Sequence, residues 1–110
     1  MTVACARLRT AAEFKAVFDD GRRCTVTHFT AVIAAGSAGT ARLGFALSKK
    51  IAPRAVDRNR IKRQARESFR ARVAGLPQMD IVMLGRPGCA AADNAKLRES
   101  LRQLWDKISA

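Results

Sequence analysis

Arg58-Asn59-Arg60-Ile61-Lys62-Arg63-Gln64-Ala65-Arg66-Glu67-Ser68-Phe69-Arg70 is the stretch from which the rest of the chain can be read. Plotted at about 100° per residue, Asn59, Arg63, Arg66 and Arg70 form one stripe about 16 Å long, and Ile61, Ala65, Phe69 and Val73 form another. One flank of this helix suits a protein core and the neighbouring flank suits a polyanion. Between Lys49 and Arg72, ten of the 21 Lys and Arg residues meet only two acids, Asp57 and Glu67, so this segment holds +8 of the formal +12. A run of charge is ordinarily a solvated face laced with counter-charges; here the acids are missing. Like charges so closely spaced repel unless a partner neutralises them. Most are arginines, whose planar fork suits paired hydrogen bonds to phosphate oxygens.

The flanking elements follow from local chemistry. Pro53 suits the first turn of this helix, which is expected to run to Val73 and end at Gly75 and Pro77. Upstream, Thr10-Ala11-Ala12-Glu13 has capping-box form and starts a short helix with Ala11, Phe14, Val17 and Phe18 on one side. Gly21 ends it in the left-handed position that glycine favours. Cys24–Ala35 is rich in Thr, Val, Ile and Phe and reads as one strand. Gly36-Ser37-Ala38-Gly39 turns the chain, and Thr40–Ser48 returns with Leu43, Phe45 and Leu47 alternating against Arg42, Gly44 and Ala46. Downstream, Asp80–Leu84 is a short buried strand closed by Gly85-Arg86-Pro87-Gly88. Asp93 or Asn94 then caps a last helix with Leu97, Leu101, Leu104, Trp105 and Ile108 on one face. The order is α-β-β-α-β-α, an α+β sandwich of helices on a small mixed sheet.

At 110 residues, with 48% hydrophobic and 27% charged side chains, the expectation is one soluble globular domain spanning residues 1–110. The longest apolar stretches are too short to cross a bilayer, and the first residues lack a secretion signal, so a cytoplasmic location is expected. Cys5, Cys24 and Cys89 are scattered and read as reduced thiols; with a single histidine, zinc-ligand spacing is absent. His28 has no carboxylate or cysteine at metal spacing. Asp19 and Asp20 precede Gly21 at a helix end and read as solvent-facing. No nucleophile context, phosphate-binding glycine loop or dinucleotide fingerprint occurs, so no catalytic residue and no metal ligand is assigned. Phe14 and Phe18 stand one helical turn apart, and two readings stay open: core residues, or a platform for unstacked bases.

Three blocks carry a resemblance to a known family: Arg42-Leu43-Gly44-Phe45-Ala46-Leu47-Ser48-Lys49-Lys50, Ala55-Val56-Asp57-Arg58-Asn59-Arg60-Ile61-Lys62-Arg63, and Arg66-Glu67-Ser68-Phe69-Arg70. In this order they closely resemble the bacterial ribonuclease P protein subunit, with flanking agreement at Arg7-Leu8, Phe14, Val17-Phe18, Gly21 and Asp80-Ile81-Val82. The resemblance implies a fold like the second domain of a small-subunit ribosomal protein, with a left-handed crossover between parallel strands. It implies a small basic subunit of a ribozyme whose RNA, with bound Mg2+, removes the 5′ leader of precursor tRNA. By position, Arg58, Asn59, Arg60, Lys62, Arg63, Arg66 and Arg70 would face that catalytic RNA. Phe14, Phe18, Lys49 and Lys50 would line a leader-binding cleft floored by the free face of the first strand through His28, Thr30 and Val32. Members often carry an aromatic where Val32 stands, so stacking on that strand is not expected here.

The partners implied are ribonuclease P RNA and precursor tRNA, with neither membrane nor DNA. A structural RNA-binding protein of ribosomal type is the alternative that shares size, charge and fold. A DNA-reading helix is disfavoured because strand residues, not a short helix and turn, precede the basic segment.

Overall fold

The computed structural model describes residues 11–36, 41–76 and 79–109. The apolar seam of the basic segment organises it. Helix α2 (Ala55–Arg72) buries Ile61, Ala65 and Phe69 completely. They pack beneath α3 (Asn94–Ser109), whose Leu97, Leu101, Leu104 and Trp105 are equally inaccessible. Full burial of side chains this size stabilises by about 1.5–3 kcal/mol each. Phe69 and Trp105 meet with ring centroids 5.7 Å apart at 54°, and Trp105 Nε1 donates to Ser68 Oγ at 2.7 Å. Val73 follows in a single 3-10 turn, Val73–Gly75, so the α-helix stops one residue earlier than expected. Its side chain, with Pro77, lies outside the described residues.

The sheet has four strands, β1 (Arg22–Thr25), β2 (Phe29–Ala35), β3 (Arg42–Phe45) and β4 (Met79–Gly85), in spatial order β1-β2-β4-β3. β2 lies antiparallel to both β1 and β4, whereas β3 and β4 are parallel neighbours joined through α2. The sheet is therefore mixed, and the expected helix–strand–strand–helix–strand–helix order holds with the first strand divided. Arg42 and Asp80 are register partners across β3 and β4, and the guanidinium grips the carboxylate twice at 2.8 Å. That bidentate pair, mostly buried, pins the register of a strand only four residues long. Helices α2 and α3 cover one sheet face. Helix α1 (Ala11–Asp20) covers part of the other, with Val17 packed against Val32 and Val82.

Four local expectations need correction. Cys24–Ala35 is not one strand: Val26 N–H donates to Phe29 O at 2.9 Å, and the chain reverses between β1 and β2. A distant residue holds this turn. Arg86 Nη1 donates to Val26 O at 2.9 Å, and Arg86 N–H donates to His28 O at 3.0 Å. Gly21 does not take the left-handed position, since among the described residues only Gly88 has positive φ, +94°. Glycine is required at 21 for space: a Cβ there would meet the Val17 carbonyl and lie 2.5 Å from Val32 Cγ1. Pro53 stands ahead of α2 rather than inside it; Asp57 and Arg58 amides donate to Arg54 O at 3.2 Å, and Arg58 Nη1 donates to the carbonyls of Ala52 and Pro53 at 2.8 Å. That clamp turns the chain sharply before the helix begins. Gly44 is buried although its alternation pointed outward. The Thr10 cap, Cys5, Arg7-Leu8 and the Ser37–Thr40 part of the turn lie outside the described residues. Asp93 is the cap of α3, its Oδ1 accepting from Lys96 N–H at 2.9 Å.

Two substitutions test these contacts. Gly21→Ala should lower stability by about 1–3 kcal/mol, because α1 must shift off β2. Arg58→Ala should cost about 1–2 kcal/mol through the orphaned carbonyls, whereas Arg63→Ala should change stability by less than about 0.5 kcal/mol. Urea midpoints of the three variants check this; equal midpoints for Arg58→Ala and Arg63→Ala would refute the clamp.

Candidate nucleic-acid interface

Because its apolar seam faces α3 and the sheet, α2 turns its charged stripe outward. Asn59, Arg63 and Arg70 are exposed and Arg66 is half-buried; together with Glu67 they line an open groove of about 340 Å³. The charges stay unneutralised. Among the described residues, Asp57 bonds Arg54 at 2.9 Å, Asp106 bonds Arg72 at 2.7 Å, and Glu99 bonds Arg102 at 2.6 Å. No carboxylate forms an ion pair with Arg58, Arg60, Lys62, Arg63, Arg66 or Arg70 in that set. The hydrogen bond from Arg72 holds the Asp106 carboxyl below the usual carboxylate range, and that from Arg102 does the same for Glu99. The acids of α3 are thus committed to their own neighbours.

The seven residues singled out on α2 divide into distinct roles. Arg66 is half-buried, its Cζ over the Phe45 ring at 5.4 Å from the centroid and its buried Nε without a hydrogen-bond partner. The ring supports the guanidinium from below and leaves its outer edge for an acceptor. Arg58 spends Nη1 on the loop before α2. Arg60 donates to Asn94 Oδ1 at 2.9 Å and to Ala90 O at 3.0 Å, tying α2 to the segment that leads into α3. Both arginines of the Arg-Asn-Arg triplet are therefore braces, at least along one edge, while the Asn59 between them faces solvent. Lys62 is half-buried beside the seam. Beneath Arg60 sits Cys89, fully buried; burial pushes its thiol up, keeping it neutral. Cys24 is also a free thiol.

The second candidate surface lies across the sheet, on the α1 side. Phe14 packs, half-buried, against the Val17–Val32–Val82 cluster beside Ala46 and Leu84, while Phe18 remains 40% exposed. The pair splits: Phe14 belongs mostly to the core, and Phe18 presents its ring to solvent. Lys49 and Lys50 are exposed in the turn between β3 and α2, where Lys50 N–H donates to Ser48 Oγ at 3.0 Å. Val32 is only 1% exposed beneath α1, so it floors no open cleft. His28 also departs from expectation. The β1–β2 reversal carries it out of the Thr30–Val32 alternation, and it lines a recess with Thr27 and the α3 residues Lys96, Glu99 and Gln103. Sequence reading missed Arg23, which is exposed and register-paired with Val32, hence on the α1 side. Only the strand division makes that visible.

Among the described residues, no three His, Cys, Asp or Glu side chains converge as a group that could hold a metal ion. No described helix is long and apolar enough to cross a membrane.

Comparison with known proteins agrees with this geometry. The family described as Ribonuclease P matches residues 3–109. The chain is 45% identical over 104 residues to the ribonuclease P protein component of Idiomarina loihiensis, covering 94% of this chain and 83% of that one. It is 43% identical over 103 residues to that of Thioalkalivibrio sulfidiphilus, covering 94% and 86%. The solved RNase P protein of Thermotoga maritima superposes with a TM-score of 0.81 at 28% identity, over 94% of this chain and 98% of that one. The Staphylococcus aureus protein shares the fold, with a TM-score of 0.87 over 97% of this chain and 100% of its own. The match of the family model to residues 3–109 and identities of 43–45% to its members, on the same α+β frame, identify the chain as a member of the ribonuclease P protein family.

Proposed function

We propose that this chain is the RNA-binding protein subunit of a cytoplasmic ribonuclease P, holding the catalytic RNA on α2 and guiding the 5′ leader of precursor tRNA across the α1 side of the sheet. The observation that carries this reading is the stripe Asn59–Arg63–Arg66–Arg70. It is solvent-facing, unmatched by carboxylates and rigidly mounted, and phosphodiesters are the ligand that satisfies all three conditions. Its catalytic contribution is positional. No side chain is assigned a catalytic role, and phosphodiester cleavage is assigned to the RNA subunit and the Mg2+ that it binds. Exposed Arg63 and Arg70 offer full forks to the backbone, and Arg66, backed by Phe45, offers one edge. The Lys49-Lys50 turn links the end of β3 to the start of α2, adding positive charge where the two surfaces meet. On the α1 side, Phe18 provides a ring for an unstacked leader base, and Arg23 adds charge for the leader's backbone.

Reconstitution is the decisive test. The protein alone should leave precursor tRNA intact; added to its cognate RNA, it should permit correct 5′ processing at magnesium levels too low for that RNA. No gain in turnover or substrate affinity would refute the proposal. Arg63→Gln with Arg70→Gln should lower the log–log salt slope of RNA binding by about 0.7–0.9 per lost phosphate contact; an unchanged slope would mean that both side chains face only water. Phe18→Ala should fold nearly as well as the parent yet weaken leader binding by about 1–3 kcal/mol. Phe14→Ala should instead show its main loss in the unfolding midpoint, about 2 kcal/mol or more. Leader affinities measured alongside unfolding curves separate the two rings.

A further inference from the structure

We propose that the concave surface where the second turn of α2 meets the start of α3 holds one unpaired nucleotide of the ribonuclease P RNA, with its base against Val56. The inference rests on the RNA-binding reading above and assigns a distinct subsite within it. Val56, Asn59, Arg60, Arg63, Gln64 and Asn94 surround a recess of about 320 Å³. That volume is at the lower end of small-ligand sites, about 300–1,000 Å³.

Three observations select the occupant. First, Val56 is 63% exposed, the more open of the two large exposed apolar side chains among the described residues. A bare aliphatic surface amid guanidinium groups gains from an apolar partner that also carries negative charge. A nucleotide has both, in its base and its phosphate. Second, three carboxamides converge on the recess, those of Asn59, Gln64 and Asn94. Amides donate and accept together and match base edges, whereas a phosphate oxygen uses only donors. Third, two of those amides are held in place. Arg60 Nη1 donates to Asn94 Oδ1 at 2.9 Å, and Arg98 Nη1 donates to Gln64 Oε1 at 3.4 Å, with Gln64 only 8% exposed. Preorganised amides discriminate between bases; mobile ones do not. A base within a duplex is stacked and cannot enter a recess, so an extruded or single-stranded nucleotide is required. Arg63 borders both this recess and the groove of the main stripe, so one side chain joins the nucleotide's phosphate to the adjoining backbone track.

A photo-crosslinking side chain placed at Val56, which is exposed and makes no core contact among the described residues, tests the assignment. In the assembled particle, the crosslink should map to an unpaired nucleotide of the ribonuclease P RNA. Removing that base, leaving its sugar and phosphate, should weaken binding of the parent protein by about five-fold or more. The same abasic RNA should cost the Val56→Asp, Asn59→Ala double variant less than about two-fold, because it has already lost the contact. Crosslinks confined to duplex nucleotides, or an abasic RNA bound as tightly as the intact one, would overturn the subsite. An active particle with no crosslink would do the same while leaving the RNA-binding reading intact. Failure to form any particle would sink both.

Discussion

Burial of Ile61, Ala65 and Phe69 sets the rotation of α2, and that rotation decides where each cation of the helix points. The apolar seam is worth several kcal/mol once it is sealed against α3 and the sheet. No comparable term would repay turning a guanidinium inward without a carboxylate to meet it. The polar stripe is thus exposed by exclusion: α2 has one rotation that buries the seam, and it leaves Asn59, Arg63 and Arg70 in water. The repulsion among them is tolerated because the core holds the helix in place, and a bound polyanion would relieve it.

Around that helix, other arginines serve as fasteners. Arg42 locks β3 to β4 through Asp80, Arg58 clamps the entry to α2, Arg60 ties α2 to the approach to α3, and Arg86 holds the β1–β2 reversal. An excess of cations therefore does not translate directly into an excess of nucleic-acid contacts. A guanidinium has five donors in a flat fork, so it can brace a carbonyl with one edge and face outward with the other. The Arg58-Asn59-Arg60 triplet is constrained by folding through its two arginines, and its central amide is the part that faces solvent.

The two faces of the sheet differ in how they treat aromatics. On the α2–α3 side Phe69 and Trp105 are sealed, and stability gains from both. On the α1 side a short helix covers only part of β2 and β4, so Phe14 is half-buried and Phe18 stays exposed. Their spacing of one turn made them equivalent on a helical wheel, yet only Phe14 packs against the Val17–Val32–Val82 cluster; Gly21, just after α1, lies so close to Val32 that only hydrogen fits between them. Val32 is consumed by that same contact, so a leader crossing this face would meet the rim of α1 and its charges rather than an open strand.

Periodicity and composition determined a good deal unaided: the three helices, the β3 and β4 segments, the buried seam of α2 and the excess of positive charge beside it. These are properties of single elements, expressed within a few residues of chain, so a sequence displays them directly. The family motifs likewise lie within contiguous blocks. Tertiary structure alone decided the rest. Thr25-Val26-Thr27-His28 carries no turn residue, and the reversal there depends on Arg86, some 60 residues away. His28 consequently leaves the cleft to which strand alternation would have assigned it, and Arg23 joins the face of Val32. Which arginines brace and which remain free depends on carbonyls and carboxylates brought near by other elements. Such pairings are set by three-dimensional approach, which no local pattern encodes.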